Sequence, residues 1–160
     1  MTALLTVSDA LATHARLQPE RLGARDSRRS LTWRQWHERA SQLANGLRGL
    51  GLCPGDRVVV LAHNWLEWVE IYAGLGRAGL VVVPINFRLL PAEAAYIVEH
   101  SGAEVLLADP SLKDVVDGVT CKHKFLFGEN DSLLWNSSAT PREWESDESA
   151  TATINYTSGT

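Results

Sequence analysis

Cysteine is nearly missing. Cys53 and Cys121 are the only two in 160 residues, they lie far apart, and neither belongs to a CxxC or Cys/His cluster. A disulfide framework and a cysteine-built metal site are therefore not expected, and the two read as reduced thiols. An excess of either charge is missing as well. Fifteen Lys and Arg stand against 19 Asp and Glu, a formal charge of −4, which gives no electrostatic case for nucleic acid or an anionic membrane as partner. No apolar run reaches the length of a membrane span. Met1 to Val7 lack the basic head and apolar core of a signal peptide, so the expected location is the cytoplasm. By the same reasoning the Asn-x-Ser/Thr triplets at Asn130, Asn136 and Asn155 are chance matches. What is left is the composition of a soluble globular domain, 45% hydrophobic and 21% charged.

The order of elements is more informative. Val7 to Leu17 read as a helix with Ser8 at its N-cap. Leu22–Arg25 and Ser30–Thr32 read as a small hairpin around a polar turn. Thr32-Trp33-Arg34-Gln35 has capping-box spacing and opens the clearest helix. Its Trp36, Ala40, Leu43, Ala44 and Leu47 share one face, and it ends at Gly49 or Gly51. From there the pattern alternates. Strands are expected at 57–62, 80–84, 104–108 and 124–127. Helices are expected after Asn64 (read as a cap), after Pro91, and from Ser111 to Val116. Strands separated by helix-length segments predict an α/β fold, a mostly parallel sheet with helices on both faces. The expected organisation is a peripheral helix and hairpin over 1–31, the alternating core over 32–127, an acidic loop over 128–150, and a last strand and loop over 151–160. Trp135 and Trp144 would tack the acidic loop to the surface.

Three stretches carry possible chemistry. Gly74-Leu75-Gly76-Arg77-Ala78-Gly79 matches G-x-G-x-x-G, but a dinucleotide fingerprint follows a strand and opens a helix. This one closes a helix and precedes a strand, so its glycines read as packing and termination residues. His63 follows one core strand, and Asn86, Phe87 and Arg88 follow the next. Ligands of open α/β sheets collect at such strand ends. His63 reads either as a packing group or as a site residue, and Arg88 either meets an anion or pairs with an acid. Last, Ile154-Asn155-Tyr156 delivers Thr157-Ser158-Gly159-Thr160, whose hydroxyls, backbone N–H groups and glycine suit phosphate oxygens. Such a loop also needs a cation and a following helix. The chain stops before either, and so reads as the front of something longer.

Five pieces in the right order resemble the N-terminal part of the adenylate-forming superfamily, which includes acyl-CoA synthetases, aryl-CoA ligases, peptide-synthetase adenylation domains and luciferases. They are Leu31-Thr32-Trp33, Gly51 to Val58, Ala78 to Asn86, Ala103 to Leu107, and Tyr156 to Thr160, the last resembling the opening of the family's phosphate-binding signature. The resemblance implies part of the large N-terminal domain of a ligase that joins a small-molecule carboxylate to coenzyme A through an acyl-adenylate, using ATP with Mg2+. By position it assigns Thr157, Ser158, Gly159 and Thr160 to the β- and γ-phosphates, and leaves His63, Asn86 and Arg88 as neighbours of the substrate site. It assigns no catalytic residue or metal ligand within these residues. Asn155-Tyr156 with Asn86 to Leu89 looks closer to fatty or medium-chain acyl-CoA synthetases than to luciferases. The rest of the phosphate signature, its lysine and the family's other catalytic segments are missing. The 160 residues alone are thus expected to be inactive and, with core faces uncovered, to self-associate. The competing reading is a non-catalytic α/β binding module with Trp65, Trp68, Trp135 and Trp144 as contacts.

Overall fold

The computed structural model describes residues 6–142 and 149–157. Its centre is the strand β3 (Arg57–Leu61), in which Val58, Val59, Val60 and Leu61 have no exposed surface. β-Branched side chains on consecutive positions can be buried this way only if both faces of the sheet are covered. They are. β4 (Val81–Ile85), β5 (Val105–Ala108) and β6 (His123–Leu126) join β3 in a parallel sheet of order β4-β3-β5-β6.

One face takes Val58, Val60, Val82, Val105 and Leu107 against Leu43 and Leu47 of α2 (Trp33–Gly49) and Ile71 and Leu75 of α3 (Glu67–Ala78). The other takes Val59, Leu61, Val83 and Leu106 against Ala94, Ile97 and Val98 of α4 (Pro91–Ser101) and Val116 of α5 (Lys113–Asp117). Each such side chain contributes about 1.5–3 kcal/mol by leaving water. The expected α/β class and doubly covered parallel sheet are therefore present. Peripheral to them lie α1 (Val7–Leu17) and the antiparallel hairpin of β1 (Leu22–Arg25) and β2 (Ser30–Thr32).

Several local expectations change. Thr6, not Ser8, caps α1. Its hydroxyl accepts from the Asp9 N–H at 3.2 Å, while the Asp9 carboxylate accepts from the Thr6 N–H at 2.9 Å. Ser8 instead donates to the Ala73 carbonyl and ties α1 to α3. Asn64 caps nothing, because α3 begins at Glu67. The N–H of Leu66, just before it, is met from the hairpin by the Asp26 carboxylate at 2.9 Å. Residues 111–116 divide into a 3-10 turn, Pro110–Leu112, and α5. The stretch 128–150 is not all loop, since α6 (Ser132–Trp135) buries Leu134 against α2. The last strand is reduced to a single parallel bridge of Thr153 to Val82 at the β4 edge.

The G-x-G-x-x-G stretch does close a helix, and Gly79 ends it at φ +69°. The closest approach, however, is helix to helix rather than helix to sheet. A Cβ on Gly74 would stand 2.9 Å from Leu43 Cδ2 and 3.1 Å from the Ala40 carbonyl oxygen of α2. The glycine lets α3 lie against α2 without a gap. Gly74→Ala should therefore force the helices apart and lower stability by about 1–3 kcal/mol, read as a shift in the urea midpoint. An unchanged midpoint would show that the contact is slack.

Candidate functional site

The chain leaves β3 toward the face that carries α3, and leaves β4 and β5 toward the face that carries α4 and α5. Adjacent strands whose loops part to opposite faces open a crevice at their C-terminal ends, where open α/β sheets bind ligands. The residues standing there are His63 after β3, Asn86, Phe87 and Arg88 after β4, and Asp109 after β5.

Asp109 organises this crevice. One carboxylate oxygen meets His63 Nδ1 at 3.2 Å and the Trp65 indole N–H at 3.0 Å. The other accepts from the Ser111 backbone N–H at 2.9 Å and hydroxyl at 2.7 Å. Burial pushes the Asp109 carboxyl up, but the bonds from Ser111, His63 and Trp65 outweigh it and hold the group below its ordinary 3.8. An ionised carboxylate only accepts, so Nδ1 of His63 carries the proton. Its Nε2 is then the free acceptor when the ring is neutral. The His63 ring rests 4.6 Å from that of Phe87, and the Arg88 guanidinium lies 5.4 Å from the Phe87 centroid. Asn86 accepts from the Arg88 N–H at 2.9 Å and shapes the turn.

The structure thus brings His63, Asn86 and Arg88 together around Phe87. Thr157 lies four residues past the parallel Thr153–Val82 bridge at the β4 edge. Thr157 is exposed, and Ser158, Gly159 and Thr160 lie outside the described residues.

Sequence reasoning passed over Asp109. Its one signal is an Asp-Pro pair closing an apolar strand, a common turn spelling. Beside Asp109 a cleft of about 690 Å³ opens between the hairpin, α2, α3 and α6. Its walls pair internally. Arg28 lies over Trp65 at 4.0 Å and bonds Glu67 at 2.8 Å, and Arg39 lies over Trp135 at 4.1 Å. The indole N–H groups of Trp65, Trp68 and Trp135 are all spent within the chain, on Asp109, the His63 carbonyl and Asp131. Trp144 lies outside the described residues.

Comparison with known proteins decides the family. The model of the AMP-binding enzyme family matches residues 11–160. The chain belongs to the AMP-binding family. Among curated relatives it is 39% identical to a feruloyl-CoA synthase from Amycolatopsis over 102 residues, 64% of this chain and 21% of that protein. It is 40% identical to a long-chain-fatty-acid–CoA ligase from Thermus thermophilus over 88 residues, 55% of this chain and 16% of that one. The chain thus spans about a fifth of the length of these AMP-binding relatives. Among solved structures it superposes on the inhibitor-bound N-terminal domain of FACL13 from Mycobacterium tuberculosis with a TM-score of 0.88 and 26% identity. That match covers 98% of this chain and 42% of the other.

Because the folded-state Asp109 carboxyl ionises more readily than a free one, its hydrogen bonds add stability above about pH 4 that is lost as pH falls below it. Asp109→Asn should lower stability at neutral pH, flatten this part of the acid dependence, and red-shift the emission of Trp65. Melting midpoints of wild type and variant against pH test it. Parallel curves would mean that the carboxylate is idle.

Proposed function

We propose that these residues form the N-terminal part of an ATP-dependent carboxylate–CoA ligase of the AMP-forming kind, located in the cytoplasm. The observation that carries this reading is the match of the AMP-binding enzyme family over residues 11–160, on a fold that superposes on the N-terminal domain of FACL13.

In the first step a carboxylate oxygen of the substrate attacks the α-phosphorus of ATP, and pyrophosphate leaves as the acyl-adenylate forms. In the second the sulfur of coenzyme A attacks the acyl carbon, and AMP leaves. The first step replaces a poor leaving oxygen with a phosphate monoester. The protein must neutralise the triphosphate and hold the carboxylate in line. Thr157, Ser158, Gly159 and Thr160 would supply hydroxyls and N–H groups to the β- and γ-phosphates, and His63, Asn86 and Arg88 would border the substrate site. Among the described residues no three His, Cys, Asp or Glu side chains converge to hold a metal ion.

The relatives act on carboxylates of two kinds by name, an aromatic acid and long-chain fatty acids, and both belong in the test. The full-length gene product should exchange labelled pyrophosphate into ATP only when a carboxylate it accepts is present. A panel of aromatic and fatty acids gives the substrate class. No exchange with any member of the panel would overturn the ligase reading. The 160-residue piece alone should give no exchange and should sediment as a mixture of associated species. Acyl-adenylate formation by a monodisperse piece would contradict that.

A further inference from the structure

The approach to the phosphate loop is weakly held by its backbone. Val82 donates to the Ala152 carbonyl at 3.0 Å and Ile154 donates to the Val82 carbonyl at 2.9 Å. Among the described residues no backbone bond joins β4 to the chain beyond Ile154. Three residues before Thr157, the ladder has ended.

A side chain takes over. Tyr156 packs partly buried against the α4 face of the core. Its hydroxyl lies 2.8 Å from His100 Nδ1, and the two rings meet edge to face at 5.7 Å. Tyr96, one turn earlier on α4, stacks on His100 at 5.5 Å. Tyr156 directly precedes Thr157. We infer that His100 is a positioning residue for the triphosphate loop: through Tyr156 it ties the mouth of the loop to α4. This inference rests on the ligase reading and adds to it a residue of α4.

The physical consequence is selective. A loop whose entry is loose must be ordered by the nucleotide itself, so part of the binding free energy of ATP is spent on ordering. Carboxylate binding is not taxed in this way. One lost hydrogen bond of this kind corresponds to about a three- to tenfold change.

The test uses the full-length protein and carboxylate-dependent pyrophosphate exchange. Tyr156→Phe and His100→Ala should each raise the KM for ATP about three- to tenfold. The KM for the carboxylate and the melting midpoint should stay close to wild type. The double variant should be no worse than the worse single one, because both remove one bond. His100→Asn, whose amide reaches the position of Nδ1, should restore much of the ATP affinity. Wild-type exchange with an unchanged KM for ATP in the variants, equal changes in both KM values, or additive losses in the double variant overturn the anchor alone. Wild type without exchange on any acid overturns the ligase reading and the anchor with it.

Discussion

Parallel pairing on both sides of β3 is the constraint from which the rest follows. Leu61 is level with Ile85 on one side and with Ala108 on the other. The first residues past those strands, on three separate stretches of chain, are therefore forced to one edge. Burial holds the register, because a shift of one residue would turn Val58 and Val60 toward α4 and Val59 and Leu61 toward α2 and α3. His63, the Asn86–Arg88 turn and Asp109 meet because apolar side chains elsewhere cannot be packed in any other register. Asp109 then converts that proximity into fixed geometry by accepting from both His63 and Trp65.

A second constraint is electrostatic. Glu70 of α3 has no exposed surface. Its carboxylate is met by Arg29 of the hairpin turn at 2.6 and 3.2 Å and by Arg39 Nε of α2. Burying the Glu70 carboxylate costs much of what its attraction to the two partly exposed arginines returns, and removing both would leave a buried charge uncompensated. The gain is placement. Hairpin, α2 and α3 are locked in one arrangement, and Asp26 on the same turn accepts from the N–H of Leu66 at the start of α3. Three backbone N–H groups converge on Asp26, that of Arg29 foremost, and hold its carboxyl down to about 2. The hairpin, read as peripheral in sequence, thus sets one wall of the cleft beside Asp109.

What could be read from the sequence was local. The bounds of α1 and of both hairpin strands follow from turn residues and apolar spacing within a few positions, although the cap of α1 is Thr6 and not Ser8. The Thr32–Gln35 capping box and the doubly buried strands are legible for the same reason. Contacts that bridge long stretches of chain have no such spelling. Asp26 and Leu66 are 40 residues apart, Arg29 and Glu70 are 41 apart, and His63 and Asp109 are 46 apart. Their partners are chosen by the fold, and no period in the sequence announces them. His63 and the Asn86–Arg88 turn were legible as site candidates only because the strand-end rule depends on element order, which is local information summed along the chain.

The last strand shows where that summation fails. Ile154 and Tyr156 have the alternation of a strand, and both do face the core. Yet one bridge forms where a ladder was expected, because strand formation needs a paired neighbour on at least one side for its whole length. β4 supplies pairing at Val82 alone, and the outer side of the segment is open among the described residues. A segment so placed is held by its side chains and takes its order from whatever reaches its outer side or its tip.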